Sequence, residues 1–115
     1  YNISATTLAI AEVLLTRFAD EQAAMLEEAL ELRSRLRDIL SRVPGGEVLP
    51  TGANLMLLRI KPNEDAPRLW SHLQDRGVWV KNVSGTPALA GCLRVSLGTA
   101  AELDRLEAAL EAWSA

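Results

Sequence analysis

The chain has one cysteine and one histidine among its 115 residues. A single cysteine excludes an internal disulfide bond, and Cys92 with His72 supplies too few ligands for an ordinary zinc site. Long apolar runs are missing as well, since none approaches the ~20 residues that a membrane-spanning helix needs. We therefore expect a soluble globular domain with no metal site and no membrane partner.

An excess of positive charge is also missing. Twelve lysines and arginines are dispersed among fifteen aspartates and glutamates, and the formal net charge is -3. Nucleic-acid-binding domains concentrate positive charge on one face, so we do not expect nucleic acid as a partner. Apolar residues are abundant, at 49% of the chain. At this length they suffice for one well-buried core.

The first part of the chain predicts two helices. Residues 4–18 are apolar nearly all round, which is typical of a helix that is covered on more than one side. A second helix is predicted from residue 20 to about residue 43, where a Pro-Gly-Gly sequence ends it. Its apolar residues recur every three or four positions over less than three heptads. This length favours a helix packed on a sheet over a coiled coil.

The remainder predicts strands alternating with helices. Residues 54–61 and 91–99 are typical of strands, residues 78–82 of a short strand, and residues 65–76 of a helix that Gly77 ends. Thr99 and Glu102 have the spacing of a capping box and predict the start of a last helix. The order α, α, β, α, β, β, α favours an α+β domain. We expect a two-layer domain in which the helices pack on one face of a small, mostly antiparallel sheet.

Two cations fall on the other face of this predicted sheet. Alternation along residues 91–99 directs Leu93 and Val95 towards the helices and Arg94 away from them, and the same rule directs Lys81 away from them. Antiparallel pairing can then place Lys81 opposite Arg94, where like charges repel each other. A bound carboxylate or phosphate would relieve the repulsion and suits the planar fork of arginine. On pattern alone, two solvated cations are the favoured alternative.

Three stretches resemble one enzyme family. "LPTGANLMLLRI", "RGVWVKNVS" and above all "GCLRVSLGTAAELDRLEAAL" are similar to the C-terminal small domain of histidinol-phosphate aminotransferases, pyridoxal-phosphate enzymes of fold type I. The opening "YNIS" is similar to the segment that leads from their large domain into the small one. The resemblance implies an interdomain helix at residues 1–18 and an aminotransferase small domain at residues 19–115. The parent enzyme would be cytoplasmic and would act in histidine biosynthesis, on histidinol phosphate and 2-oxoglutarate.

The resemblance also implies roles for individual residues. Arg94 matches the family arginine that holds the anionic end of the substrate, such as the α-carboxylate of glutamate. Lys81 matches a position, often arginine, that helps to bind the substrate phosphate. Asn54 matches the family pattern too, although capping a turn explains it equally well. These are substrate-binding roles, and no residue matches a catalytic or cofactor-binding position.

The chain lacks a lysine like the one that binds the cofactor in this family. Lys61 and Lys81 are the only lysines, and neither lies in a sequence like the family's Schiff-base motif. The chain also opens without an initiator methionine, which suggests a piece of something longer. We expect the cofactor on a large domain of the same chain, a homodimer as the full-length form, and no activity or bound cofactor in these 115 residues alone.

A second class of function stays open at this point. From residue 54 onward the order β-α-β-β-α is most of a ferredoxin-like split β-α-β unit, an architecture that amino-acid-sensing modules use. Fold alone does not settle function. A sensing module would bind a free amino acid without a second domain, whereas an isolated aminotransferase small domain would bind none measurably. That binding measurement separates the two interpretations.

Overall fold

The computed structural model of the chain describes residues 2–113. The helices and strands of this part, in chain order, are α1 (Ala5–Arg17), α2 (Ala19–Ser41), β1 (Gly46–Val48), β2 (Leu55–Ile60), α3 (Asp65–Asp75), β3 (Lys81–Asn82), a short 3-10 helix (Pro87–Leu89), β4 (Cys92–Ser96) and α4 (Ala100–Glu111). Within residues 2–113, no helix has both the length and the apolar character to cross a membrane.

The chain divides into two compact units, the first ending at Glu31 and the second beginning at Leu32. In the first unit, Ser4 caps α1, since its side chain accepts a hydrogen bond from the N–H of Thr7 at 3.1 Å. No residue of α1 is buried. Its large apolar side chains are exposed instead, Leu15 by 66%. An apolar surface of this kind is typical of a site of protein–protein contact.

The second unit contains a four-stranded sheet in the order β1-β2-β4-β3, with every neighbouring pair antiparallel. Because β4 lies between β2 and β3, the path β2-α3-β3 is a split β-α-β unit. The predicted α+β class with a small antiparallel sheet is confirmed. This topology does not by itself separate the two candidate functions, because fold alone does not settle function.

Strand β1 was not predicted from the sequence. Its three residues are too few to show the alternation that identifies a strand. It forms where the chain turns back at Gly45, whose φ of +68° favours glycine. The carbonyl of Gly45 accepts a hydrogen bond from the N–H of Lys61 at 2.9 Å, which places β1 beside β2.

The core of the second unit lies between the helices and one face of the sheet. Leucines and an isoleucine of α2, α3 and α4 pack against the inward positions of β2 and β4, which confirms helices on one face. The most buried members of this core, each at most 2% exposed, are Leu36, Ile39, Leu40, Met56, Leu58, Ile60, Ala66, Leu69, Leu73, Leu93 and Leu103.

Ion pairs join α2 to α4 at the surface of this unit. Arg35 Nη2 lies 2.7 Å from Asp104 Oδ1 and 2.9 Å from Glu107 Oε2, and Arg42 pairs with the other oxygen of Glu107. The hydrogen bonds from Arg42 and Arg35 hold the pKa of Glu107 below its usual range. The charged form of Glu107 therefore stabilises the folded state.

A pH dependence follows from this lowered pKa. The stabilisation is fully present above the pKa of the unfolded state, about 4.3 for glutamate, and is lost as the pH falls through the lower folded pKa. We expect the free energy of unfolding, measured with urea, to fall more steeply below about pH 4.3 in the wild type than in Glu107→Gln. Glu111→Gln, which changes an exposed carboxylate of α4, is the control. Equal slopes in Glu107→Gln and the wild type would contradict the assignment.

A second stability prediction concerns Gly91, the residue that leads into β4. Its φ is +72°, and an added Cβ would lie 2.8 Å from the carbonyl oxygen of Ile60 and also meet the side chain of Asn63. Gly77 has the same φ of +72°, but open space surrounds its Cβ position. We expect Gly91→Ala to lower the free energy of unfolding by about 3 kcal/mol and Gly77→Ala by about 1 kcal/mol. Equal losses in urea unfolding would show that the close contact is unimportant.

Candidate functional site

Strand β4 carries the candidate site residue Arg94 on the face away from the helices. Leu93 and Val95 on either side of it are buried in the core, and Arg94 itself is half-buried. In the register of the sheet, Arg94 lies directly opposite Lys81 of β3 on one side and Leu57 of β2 on the other. The predicted juxtaposition of Lys81 with Arg94 is confirmed. Two cations therefore face each other across neighbouring strands.

Neither cation is neutralised within the described part of the chain. No ion pair among residues 2–113 includes Lys81 or Arg94. The Nε atom of Arg94 is buried and finds no hydrogen-bond partner among those residues. A buried donor without an acceptor is destabilising, and so is a pair of like charges on adjacent strands. A carboxylate or phosphate would satisfy both requirements at once, because it supplies negative charge and several acceptor oxygens.

The two cations line an open cavity of about 760 Å³. This volume is in the range of small-molecule sites. The other walls include Trp70 of α3 and Arg105 of α4, together with Trp79, whose side chain is 78% exposed. The cavity is therefore cationic and partly aromatic, as suits an anionic small molecule.

Among residues 2–113, a single carboxylate lines this cavity, that of Glu102, and it has a structural task. Thr99 and Glu102 form the predicted capping box of α4: the Thr99 N–H donates to Glu102 Oε2 at 2.7 Å, and the Glu102 N–H donates to Thr99 Oγ1 at 3.4 Å. Two hydrogen bonds from Thr99 lower the pKa of Glu102. The bond from the Thr99 backbone N–H has the larger effect, and the bond from its side chain has the smaller one. The carboxylate thus stays ionised and occupied, and is poorly suited to act as a general base.

The structure places the remaining residues of interest outside this cavity. Asn54 precedes β2 with an exposed side chain, and its carbonyl accepts the N–H of Leu97 at 2.8 Å. Cys92 is buried in β4. His72 is half-buried, and its Nε2 lies 2.8 Å from the carbonyl oxygen of Ala109. Residues 2–113 contain no cluster of three His, Cys, Asp or Glu side chains that could hold a metal ion.

Sequence reasoning missed one contact beside the site, that of Trp70. The spacing of Leu69, Trp70 and Leu73 in the sequence predicts inward-facing residues on α3 and nothing more for Trp70. In the structure its indole Nε1–H donates to the carbonyl of Val80 at 3.0 Å. Because of this contact and a bond from the N–H of Val78 to α3, strand β3 is shorter than the predicted residues 78–82. No local pattern signals a hydrogen bond between a helix side chain and a neighbouring strand.

Comparison with protein families places the chain in a known group. Residues 1–110 match the family model for aminotransferase class I and II. The chain belongs to this aminotransferase family. The predicted membership of an aminotransferase family is confirmed. The fold is consistent with an aminotransferase small domain.

Several curated relatives carry the same name. The chain is 40% identical over 114 residues to histidinol-phosphate aminotransferase 2 of Burkholderia pseudomallei (strain 1710b), covering 96% of this chain and 30% of that protein. It is 33% identical over 111 residues to histidinol-phosphate aminotransferase of Aquifex aeolicus (strain VF5). That match covers 96% of this chain and 31% of the Aquifex protein. The aminotransferase chain thus spans about 30% of the length of these relatives.

Two solved structures are also similar to this aminotransferase chain. A protein assigned as an aminotransferase, from Burkholderia pseudomallei K96243, is 31% identical and has a TM-score of 0.66. The match covers 82% of this chain and 28% of the chain of that structure. A decarboxylase from Sulfurospirillum multivorans has a TM-score of 0.81. The match covers 96% of this chain and 32% of the decarboxylase chain. Its identity is 19%, so that likeness shows the fold alone.

Proposed function

We propose that the chain is the small domain of a longer histidinol-phosphate aminotransferase. The parent enzyme would transfer an amino group from histidinol phosphate to 2-oxoglutarate, giving imidazole-acetol phosphate and glutamate, in the cytoplasm. Residues 19–115 would form the small domain and residues 1–18 the interdomain helix. The observation that carries the proposal is the unneutralised pair of Lys81 and Arg94 in the cavity of an aminotransferase fold.

In this proposal, Arg94 binds a substrate carboxylate through its planar guanidinium. The group stays protonated in proteins, so Arg94 orients the substrate and does not move a proton. Fixing an anionic end aligns the reacting bond of a flexible amino acid, which lowers the barrier by removing orientational freedom. Lys81 adds a second positive charge, without the bidentate geometry of arginine, for the phosphate of histidinol phosphate.

Pyridoxal phosphate supplies the electron sink that amino transfer needs. The residues present do not fit a site for it. Lys61 lies on the surface, 3.4 Å from Glu47, and Lys81 is opposite Arg94. Lys61 does not line the cavity, and Lys81 lies beside a second cation, so neither lysine is placed to hold the cofactor. We therefore assign the cofactor and its lysine to a large domain of the longer chain.

The exposed apolar surface of the first unit supports such a partner domain. Leu8 is 59% exposed, Leu14 46% and Leu15 66%. Surfaces of this kind are covered in stable proteins, because exposed apolar area is unfavourable in water. We propose that the large domain covers α1, and that the full-length protein is a homodimer.

The proposal predicts different behaviour for the chain and its parent. We expect the longer protein to show the absorbance of bound pyridoxal phosphate and to transaminate glutamate. The 115-residue chain, given the same cofactor and substrates, should show neither and should bind no free glutamate in a calorimetric titration. A cofactor absorbance band in the 115-residue chain that disappears in Lys81→Ala would overturn the assignment. Tight binding of a free amino acid by the chain alone would favour a sensing module instead.

A further inference from the structure

We infer that Trp70 is a positioning residue for Lys81: its indole N–H holds the peptide that carries Lys81 and so keeps the ammonium group opposite Arg94. The inference rests on the proposed function, because it concerns the same anion site. It goes further by assigning a role to a residue of α3 that pattern predicted only as part of the core.

Strand β3 needs support from outside the sheet. It is one of the two edge strands, and it pairs with β4 at two positions, Lys81 with Arg94 and Asn82 with Leu93. The N–H of Val83 donates to the carbonyl of Cys92. Since alternate residues of an antiparallel strand face the same neighbour, Lys81 directs its backbone groups to β4 and Val80 directs its own away from it. The carbonyl of Val80 therefore has no strand partner.

Helix α3 supplies the missing partners. Trp70 Nε1–H donates to the carbonyl of Val80 at 3.0 Å, and the N–H of Val78 donates to the carbonyl of Leu73 at 2.9 Å. The segment before Lys81 is thus attached to α3 instead of β4. Trp70 is half-buried and packs against the core, so its ring is itself held in place.

This attachment fixes the backbone from which the Lys81 side chain extends. The carbonyl of Val80 and the N–H of Lys81 belong to one planar peptide group, so fixing the oxygen fixes the plane from which Lys81 continues. Repulsion from Arg94 would otherwise favour rotation of the edge peptide and a longer distance between the two cations. The indole hydrogen bond opposes that rotation. An anion then finds both cations already in place.

The test uses full-length protein and the variant Trp70→Phe, which keeps an aromatic ring and removes the N–H. We expect the KM for histidinol phosphate to rise about three- to tenfold while kcat stays within about twofold, as for one lost hydrogen bond that acts on binding. Trp113→Phe is the matched control, because the Nε1 of Trp113 has no hydrogen-bond partner among residues 2–113. Its KM should match the wild type. An unchanged KM in Trp70→Phe would overturn the inference.

A double-mutant cycle with Lys81→Met shows whether Trp70 acts through Lys81. In the Lys81→Met background, Trp70→Phe should leave the KM for histidinol phosphate unchanged, because the two residues act as one unit. A further rise of the same size would place the effect of Trp70 elsewhere and overturn the inference alone. If Lys81→Met itself leaves the KM unchanged, the proposed role of Lys81 is wrong, and the inference fails with it.

A measurement on the wild type does not depend on how the variants fold. We expect titration with inorganic phosphate to shift the NMR resonance of the Trp70 indole N–H, because the bound anion acts on the peptide that this N–H holds. The indole resonance of Trp113 should stay in place. Binding of phosphate with no shift of the Trp70 resonance would contradict the inference.

Discussion

Replacement of Arg94 by alanine in the full-length protein is expected to lower kcat/KM for glutamate roughly 100- to 1,000-fold. Arg94 is half-buried and its buried Nε has no partner among the described residues, so this donor is free for the substrate carboxylate. Losing one member of a buried, hydrogen-bonded charge pair costs about 2–5 kcal/mol. We expect the loss chiefly as a rise in KM, with cofactor binding intact because no cofactor contact is assigned to Arg94.

Two further variants make this prediction specific. Arg94→Lys keeps the charge and loses the bidentate fork, so its kcat/KM should lie between those of the wild type and Arg94→Ala. Arg37→Ala removes an exposed arginine of α2 and should leave the kinetics unchanged. Glutamate kinetics that barely respond to Arg94→Ala would refute the anchor role. Loss of the cofactor absorbance in Arg94→Ala would point to a role at the cofactor instead.

Reversal of the charge at position 81 is expected to move stability and activity in opposite directions. Lys81→Glu places a carboxylate directly opposite Arg94, where it can pair with the guanidinium. Replacing a like-charge cross-strand pair by an opposite-charge pair should raise the free energy of unfolding by about 0.2–1 kcal/mol. The same carboxylate would occupy the anion site, so we expect kcat/KM for histidinol phosphate to fall at least about 100-fold.

Lys61→Glu is the matched control for Lys81→Glu. Lys61 has an acidic neighbour, Glu47, at 3.4 Å. Charge reversal there should slightly lower stability, opposite to the effect at position 81, and should leave kcat/KM for histidinol phosphate unchanged. A Lys81→Glu protein that is less stable and still fully active would show that the two cations have no shared ligand.

Much of the fold follows from local signals in the sequence. The capping box at Thr99 and Glu102 is a contact within one turn of helix, so the residue types alone predict it. The placement of Lys81 and Arg94 on one face follows from alternation, because a shift by one residue would move a set of apolar side chains to the solvent face, and this placement allows the two cations to pair. These predictions are confirmed because each depends on a short stretch of chain or on one buried face.

What the sequence did not predict depends on tertiary contacts. Strand β1 exists through its pairing with β2, and three residues carry no period of their own. Strand β3 is short because Trp70 and the carbonyl of Leu73 bond the segment before Lys81. The cavity likewise has walls from separate elements, including Arg105 of α4. On pattern alone, solvation of Arg94 was favoured, and only its buried Nε favours an anion instead.

The most direct test of the anion site is a crystal structure of the full-length protein with histidinol phosphate bound. We predict that the phosphate of the bound substrate will lie within hydrogen-bond distance, about 3 Å, of Lys81 or Arg94. In a second crystal with glutamate, a carboxylate should contact Arg94 through two nitrogens. Substrates held entirely by residues outside this chain, with Lys81 and Arg94 facing solvent, would contradict the account.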